Sequence, residues 1–422
     1  MAVDVDANQH AKYNKNLLSF ASITRQVYSA VCTRKARILG CLGCSLLLFG
    51  LVSTSSSSVP VPRTRQMRSS PEPEPLLKPP SEEVVNIVFL VFPTSVDNDR
   101  HAERLQAMFD TWARNETIRQ FEPFKRTWRI SVRIINKHGN MRAGKKSDYH
   151  SLPAHARIWS PRSNDPTPQF AWALSEIFRE YNIAHTEPNT LDLGNLWIVK
   201  IDTITYVVLE NMLHYLSQLD ASAPHFLGRR LRIDDEYVFC SGGAGFVVSG
   251  RAAARYVSTW DDCFHESIET NGWLMGARDV GVTTCFRKAG IEPNVTLDDR
   301  QRQRFHIFGP ARTVKGNMDG WMTDYSNKIN EPIQKGLECC SKESVTFHYM
   351  EGPEVRLIDD MIHNSAKWLR MESDERVAEW EKINIGGYSA VPDTDNAEMW
   401  SLLLDHLGSH IKKNHVSAGT NS

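Results

Sequence analysis

From Val84 to Phe92 the chain reads VVNIVFLVF, a run of β-branched and aromatic residues that predicts a buried strand. RHAERLQAMFDTWARN follows, with apolar residues at helical spacing. The alternation returns further on. FAWALSEIFREYN reads as a helix and LWIVKI, 196–201, as a strand. VVLENMLHYLSQL then reads as a helix with Leu209, Met212, Leu213 and Leu216 on one face. Strands alternating with helices predict an α/β domain on a largely parallel sheet. No internal repeat is visible.

Two flanking regions break this pattern. Ile38 to Val52, ILGCLGCSLLLFGLV, is uncharged and slightly shorter than an average bilayer span. Ahead of it stand Lys12, Lys15, Arg25, Arg34, Lys35 and Arg37 against Asp4 and Asp6. The positive flank predicts a cytosolic tail over 1–37, a transmembrane anchor over 38–54 and a lumenal body, the type II arrangement. A cleaved signal peptide and a buried core helix are the alternatives. Ser53 to Ser81 holds seven prolines and eight serines, which predicts an extended stalk, placed at 55–83. The lumenal domain is assigned to 84–371 and a C-terminal extension to 372–422. Within that extension AEMWSLLLDHLGSHIKKN predicts a short amphipathic helix whose Trp400, Leu403 and Leu407 pack on the body.

With 422 residues, 41% of them hydrophobic, the chain can bury at least one large core. A net charge of −1 gives no basic excess, so nucleic acid is not an expected partner. The eight cysteines form no pair of C-x-x-C motifs, which argues against zinc.

Ligands of open α/β sheets bind at the carboxyl ends of strands, and Asp202 stands where LWIVKI gives way to a predicted helix. It is a candidate for a metal or phosphate site, or equally an acid satisfying the backbone N–H groups of a helix start. FCSGGAGFVVS, 239–249, places small residues between two strand-like runs, and Gly242, Gly243 and Gly245 let backbone approach a ligand or simply form a turn. Arg229 and Arg230 in PHFLGRRL can face anionic groups or stay solvated.

These stretches together resemble glycosyltransferase family 31, and within it the core 1 β1,3-galactosyltransferases that extend O-linked N-acetylgalactosamine. The motifs that carry the resemblance are TWAR at Thr111, QFAW at Gln169, WIVKIDTITYVVLENM at Trp197 and FLGRR at Phe226. SGGAGFVVS at Ser241, RDVGVTTC at Arg278, RFHIF at Arg304 and ECCSKESVTFHY at Glu338 continue it, so that it runs discontinuously from Val84 to Met350. It implies an A-type, Rossmann-like glycosyltransferase fold in the Golgi, UDP-galactose as donor, Mn²⁺ as cofactor, a GalNAc-bearing glycoprotein as acceptor and inversion at the transferred sugar. Homodimer formation is left open.

Residue by residue, the resemblance makes Asp279 the general base, in the second place of a Glu-Asp pair whose first place is Arg278 here. Asp202 and His348 become metal ligands, with His306 as second choice. The family's third consecutive aspartate is Ile204 in this chain. Trp321 and Tyr325 match an acceptor platform, while Arg229, Arg230, Gly242, Gly243 and Tyr349 fall among substrate-binding positions. Cys263 and Cys285 fall where the family has a disulfide, and Cys339 and Cys340 match its vicinal pair, which leaves Cys240 unpaired. Asn115 and Asn294 open glycosylation sequons. Ile204 also supports a rival reading, a catalytically silent paralogue resembling the family's chaperone. Another sugar specificity within the family is the third.

Overall fold

The computed structural model describes residues 83–94, 98–119, 126–136, 152–163, 166–183, 191–233, 237–276, 278–383 and 397–407. The expected tail, anchor and almost all of the stalk lie outside the described residues, as do residues 384–396 and 408–422 of the C-terminal extension. Among the described residues no helix is long and apolar enough to cross a membrane.

The chain opens with β1 (Glu83–Phe92), α1 (Asn98–Asp110), β2 (Thr117–Arg119), β3 (Arg126–Ile135), β4 (Ala156–Trp159) and α2 (Pro166–Glu180). Next come β5 (Leu196–Asp202), β6 (Tyr206–Val207), α3 (Leu209–Ser217), β7 (Phe226–Gly228), β8 (Arg230–Arg232), β9 (Val238–Cys240) and β10 (Phe246–Ser249). The helices α4 (Gly250–Gly276) and α5 (Arg278–Lys288), strand β11 (Phe305–His306), and helices α6 (Pro310–Lys315) and α7 (Gly320–Asn327) follow. After β12 (Thr346–Phe347) the remainder is helical: α8 (Gly352–His363), α9 (Ser365–Trp368), α10 (Ser373–Glu381) and α11 (Ala397–Ser401).

Seven strands form the main sheet in the order β2-β3-β1-β5-β10-β7, with β4 added on β3. Strand β1 lies between β3 and β5 and runs parallel to both. Its side chains alternate between two cores: Ile87, Phe89 and Val91 enter one, Val88 and Leu90 the other. Burial on both faces is why the sequence of β1 reads as a continuous apolar run.

The sheet is mixed where a largely parallel one was expected. Strand β10 runs antiparallel to β5 and to β7. Parallel neighbours need a crossover, commonly a helix, but β7 and β10 are joined by the antiparallel ribbon of β8 and β9.

A second, three-stranded sheet orders β11-β12-β6. The disulfide Cys263–Cys285 ties α4 to α5, Cys339 is bridged to Cys340, and Cys240 is a buried free thiol. Beyond Met371 the chain stays with the core. Trp380 and Trp400 meet edge to face at 6.1 Å, and Trp400, Leu403 and Leu407 are buried in the same cluster as Ile358 of α8.

Candidate active site

Asp202 is the last residue of β5 and pairs with Phe92, the last residue of β1. It therefore stands at the carboxyl edge of the sheet, beside the strand from which the order departs in both directions, the usual place for a ligand crevice. The helix-start alternative fails on geometry. Strand β6 intervenes, and α3 begins only at Leu209 behind Val208.

Lys200 lies two residues back on the same strand, and the period of two puts its side chain on the face that carries Asp202. Its Nζ donates to Asp202 Oδ1 at 2.8 Å and to the Gly242 carbonyl at 2.9 Å. Burial favours the protonated form of Asp202, yet the Lys200 ammonium, with His348 beside it, overrides that and holds the carboxyl well below its ordinary range.

The glycine turn between β9 and β10 closes on this pair. Gly242 N–H donates to Asp279 Oδ2 at 2.7 Å, so the backbone of one residue bonds both the Lys200 ammonium and the Asp279 carboxylate. A β-carbon at 242 would sit 2.2 Å from Asp279 Oδ1, and one at 243 would sit 2.7 Å from His348 Cε1. At both positions the Asp279 or His348 side chain occupies the space a β-carbon would take. Gly245 is different: its φ of +77° is a backbone requirement.

Pairing of β12 with β6 explains how His348 arrives here. Phe347 is in register with Tyr206, and Met350 N–H donates to the Ile204 carbonyl, which lays 347–350 alongside the loop that follows Asp202. His348 Nε2 lies 3.7 Å from Asp202 Oδ2, too far for a hydrogen bond. Both ring nitrogens of this buried imidazole lack a hydrogen-bond partner. Tyr349, held at φ +59°, covers the ring at 4.1 Å and itself stacks on Phe308.

An orphaned imidazole beside a carboxylate is a donor pair suited to one divalent cation, but it is a small one. Ile204 is buried and offers no lone pair, and Asp202 Oδ1 already accepts from Lys200. Among the described residues no group of three or more His, Cys, Asp or Glu side chains could hold a metal ion. Asp202 Oδ2 and His348 Nε2 therefore fit two positions around Mn²⁺, with the remaining ones left to ligand oxygens.

Other candidates go elsewhere. His306 stacks on Phe347 at 4.5 Å, and strand alternation sends the next residue, His348, to the opposite face. His306 Nε2 is hydrogen-bonded to Ser344 Oγ at 2.9 Å, and burial, helped by the Arg229 charge, lowers its pKa to about 3.

The arginine pair meets protein partners. Arg229, 2% exposed, donates to Ser326 Oγ at 2.8 Å, and Arg230 donates to Glu331 Oε1. The two guanidiniums bond to the end of α7 and to Glu331 beyond it. Trp321 and Tyr325 meet edge to face at 5.7 Å on α7, which packs on β8. The described part of α5 starts at Arg278, whose side chain is outside the described residues, with Asp279 in its first turn. Asn115 is exposed, whereas Asn294 Oδ1 accepts the Phe226 N–H and Thr296 is buried under β7.

Sequence reasoning passed over Lys200, although a lysine within an apolar strand, two residues before an acid, is a visible signal. It also missed Glu331, for which no local signal exists.

Residues 174–292 match the family model described as Fringe-like. That segment is similar to the Fringe-like domains of glycosyltransferase family 31. Lys200, Asp202, Gly242, Gly243 and Asp279 all fall within the Fringe-like segment, and His348 falls beyond it. The chain is 28% identical over 174 residues to glycoprotein-N-acetylgalactosamine 3-beta-galactosyltransferase 1 of Xenopus laevis, covering 40% of this chain and 45% of that protein. It is 26% identical over 148 residues to chondroitin sulfate synthase 3 of Homo sapiens, covering 32% of this chain and 15% of that protein. The chain thus matches less than half the length of these relatives.

Proposed function

We propose that the protein is a β1,3-galactosyltransferase that moves galactose from UDP-galactose to O-linked N-acetylgalactosamine on glycoproteins, with inversion. The observation that carries this reading is the convergence of Lys200, Asp202, His348 and Asp279 on the Gly242–Gly243 turn at the carboxyl ends of the strands. It joins a place for an anionic leaving group to a place for a base. The similarity to a galactosyltransferase, though partial, supports the same class.

In this mechanism the donor diphosphate lies against Lys200 and the Asp202–His348 pair. Asp279, oriented by the Gly242 N–H, accepts the proton of the acceptor hydroxyl as that oxygen attacks the anomeric carbon. The new C–O bond forms as the bond to the diphosphate oxygen breaks, and the electron pair leaves with UDP. Mn²⁺, held by Asp202 and His348, would stabilise the negative charge on that leaving group. Trp321 and Tyr325 would offer aromatic faces to the acceptor sugar.

A screen of nucleotide sugars against GalNAc-bearing and other acceptors, run with the full chain, tests the reading. Galactose transfer to a GalNAc acceptor is expected; transfer from another donor would move the specificity, and UDP-galactose turnover on no acceptor would reject it. Ile204 favours one second reading, a catalytically silent paralogue that assists an active relative. Absence of transfer together with recovery of an active relative from the full chain would select it.

The same reading places the body in the Golgi lumen behind an anchor at 38–54. Protease treatment of sealed microsomes should leave residues from Val84 onward intact until detergent is added, and digestion without detergent would reject the topology.

A further inference from the structure

We infer that Lys200 is a fixed phosphate-binding cation of the crevice, which takes over part of the charge neutralisation otherwise assigned to a divalent ion. The inference rests on the donor site proposed above and deepens it. Three observations carry it. First, the Lys200 ammonium is held, with bonds of 2.8 Å to Asp202 Oδ1 and 2.9 Å to the Gly242 carbonyl, over the Phe92 ring at 5.5 Å. Those two acceptors occupy two of its three N–H donors, and its side chain keeps 14% exposure at the strand ends.

Second, the charges around it are few. Asp202 and Asp279 are the carboxylates bonded to Lys200 or to the Gly242 peptide, with the His348 imidazole 3.7 Å from Asp202. Ile204 adds no charge. A diphosphate therefore meets Asp202 already matched by the Lys200 ammonium and Asp279 held by the Gly242 N–H, without the further acid that Ile204 replaces. Third, the glycines fix this arrangement. Gly242 holds Lys200 through its carbonyl and Asp279 through its N–H, so the ammonium stays beside the base and does not sweep through solvent on a flexible stem.

Calorimetry on the full chain tests this, with UDP and with inorganic pyrophosphate, each in Mn²⁺ and in EDTA. Wild type is expected to bind both ligands in EDTA, within about tenfold of its affinity in Mn²⁺, and Lys200→Met is expected to lose about tenfold or more of the EDTA affinity. Lys200→Arg, which keeps the charge, should recover most of it. Since Lys200→Met leaves Asp202 without its ammonium, Asp202→Asn and the double variant Lys200→Met/Asp202→Asn provide a neutral background. Asp202→Asn should still bind pyrophosphate in EDTA and the double variant should not.

Equal binding by those two variants would reduce Lys200 to a counter-ion of Asp202 and overturn the inference. Binding by wild type only in Mn²⁺, unchanged in Lys200→Met, would also overturn it and leave the donor site standing. Pyrophosphate binding without UDP binding would uphold the anion site and reject the nucleotide reading. No binding of either ligand in either condition would reject both.

Discussion

The molecule contains two clusters made from nearly the same side chains, and they stand in different places in the fold. At the crevice, Lys200 and Asp202 pair with His348 nearby; around β8, Arg229 and Arg230 pair with Glu331, and His306 is nearby. In the second cluster Glu331 accepts from Arg230 and Gln303 and lies 3.9 Å from Arg229, with its side chain 5% exposed. Burial draws the Arg229 pKa down to about 10, though Glu331 opposes the shift. The cavity lined by Arg229, His306, Gln303 and Met322 has about 30 Å³, room for about one water molecule and none for a nucleotide. At the crevice the Asp202 side chain keeps 18% exposure and both His348 nitrogens lack hydrogen-bond partners. Unpaired polar atoms occur in both, since Arg229 Nε and Nη1 also lack hydrogen-bond partners; what separates the clusters is position, Asp202 at the end of β5 and Arg229 beside a small cavity.

Removing the carboxylate of the closed cluster should have the largest effect, and on stability alone. Glu331→Ala strands the buried Arg229 cation, so unfolding free energy should fall by about 3–5 kcal/mol. Denaturant titration measures this, and UDP affinity of the folded fraction should be unchanged. A parallel loss of UDP binding would erase the distinction between the clusters.

Asp279→Asn should do the reverse. The amide cannot usefully accept a proton, so turnover should fall ~10²-fold or more while UDP affinity and melting temperature hold. Steady-state kinetics with calorimetry checks it. Equal losses of rate and binding would make Asp279 structural.

Ile204→Asp adds the carboxylate that the crevice lacks. Mn²⁺-dependent UDP binding should tighten by about tenfold, measured with and without the metal, because a third donor joins Asp202 and His348. An unchanged metal dependence would mean that the Asp202–His348 pair does not hold the ion.

A separate effect, on stability alone, concerns a partly buried group, His363 of α8. Burial disfavours its charged form, but Glu210, 3.3 Å away, and Asp359 raise its pKa to about 9. A raised histidine pKa gives stability that is complete below the unfolded value near 6.5 and is lost as pH rises through 9. Thermal unfolding should therefore lose about 1–3 kcal/mol between those pH values, less so in His363→Gln. UDP affinity should not follow that change.

The sequence made the scaffold legible where a repeat period exposed it. Strands β1 and β5 and helices α1, α2 and α3 fall on the runs that predict them, because burial on one helix face or both strand faces leaves a local pattern. Strand direction at β10 left no such pattern, since it depends on the connection through β8 and β9. The carboxylate that meets the arginine pair, Glu331, lies 101 residues after Arg230 and leaves no local signal. His348 reaches Asp202 through pairing of β6 with β12, two strands of two residues each, too short for any period to reveal. Only the family resemblance pointed to it. Lys200, by contrast, was legible: period two places it beside Asp202 on one face of β5.

A crystal structure of the full chain with UDP and Mn²⁺ bears most directly on the whole reading, because it locates the diphosphate. The expected density places it at the carboxyl ends of β1 and β5, against Lys200 Nζ, with an anomalous manganese peak between Asp202 Oδ2 and His348 Nε2. Diphosphate density against Arg229 and Arg230, or a manganese peak at His306 instead, would contradict it.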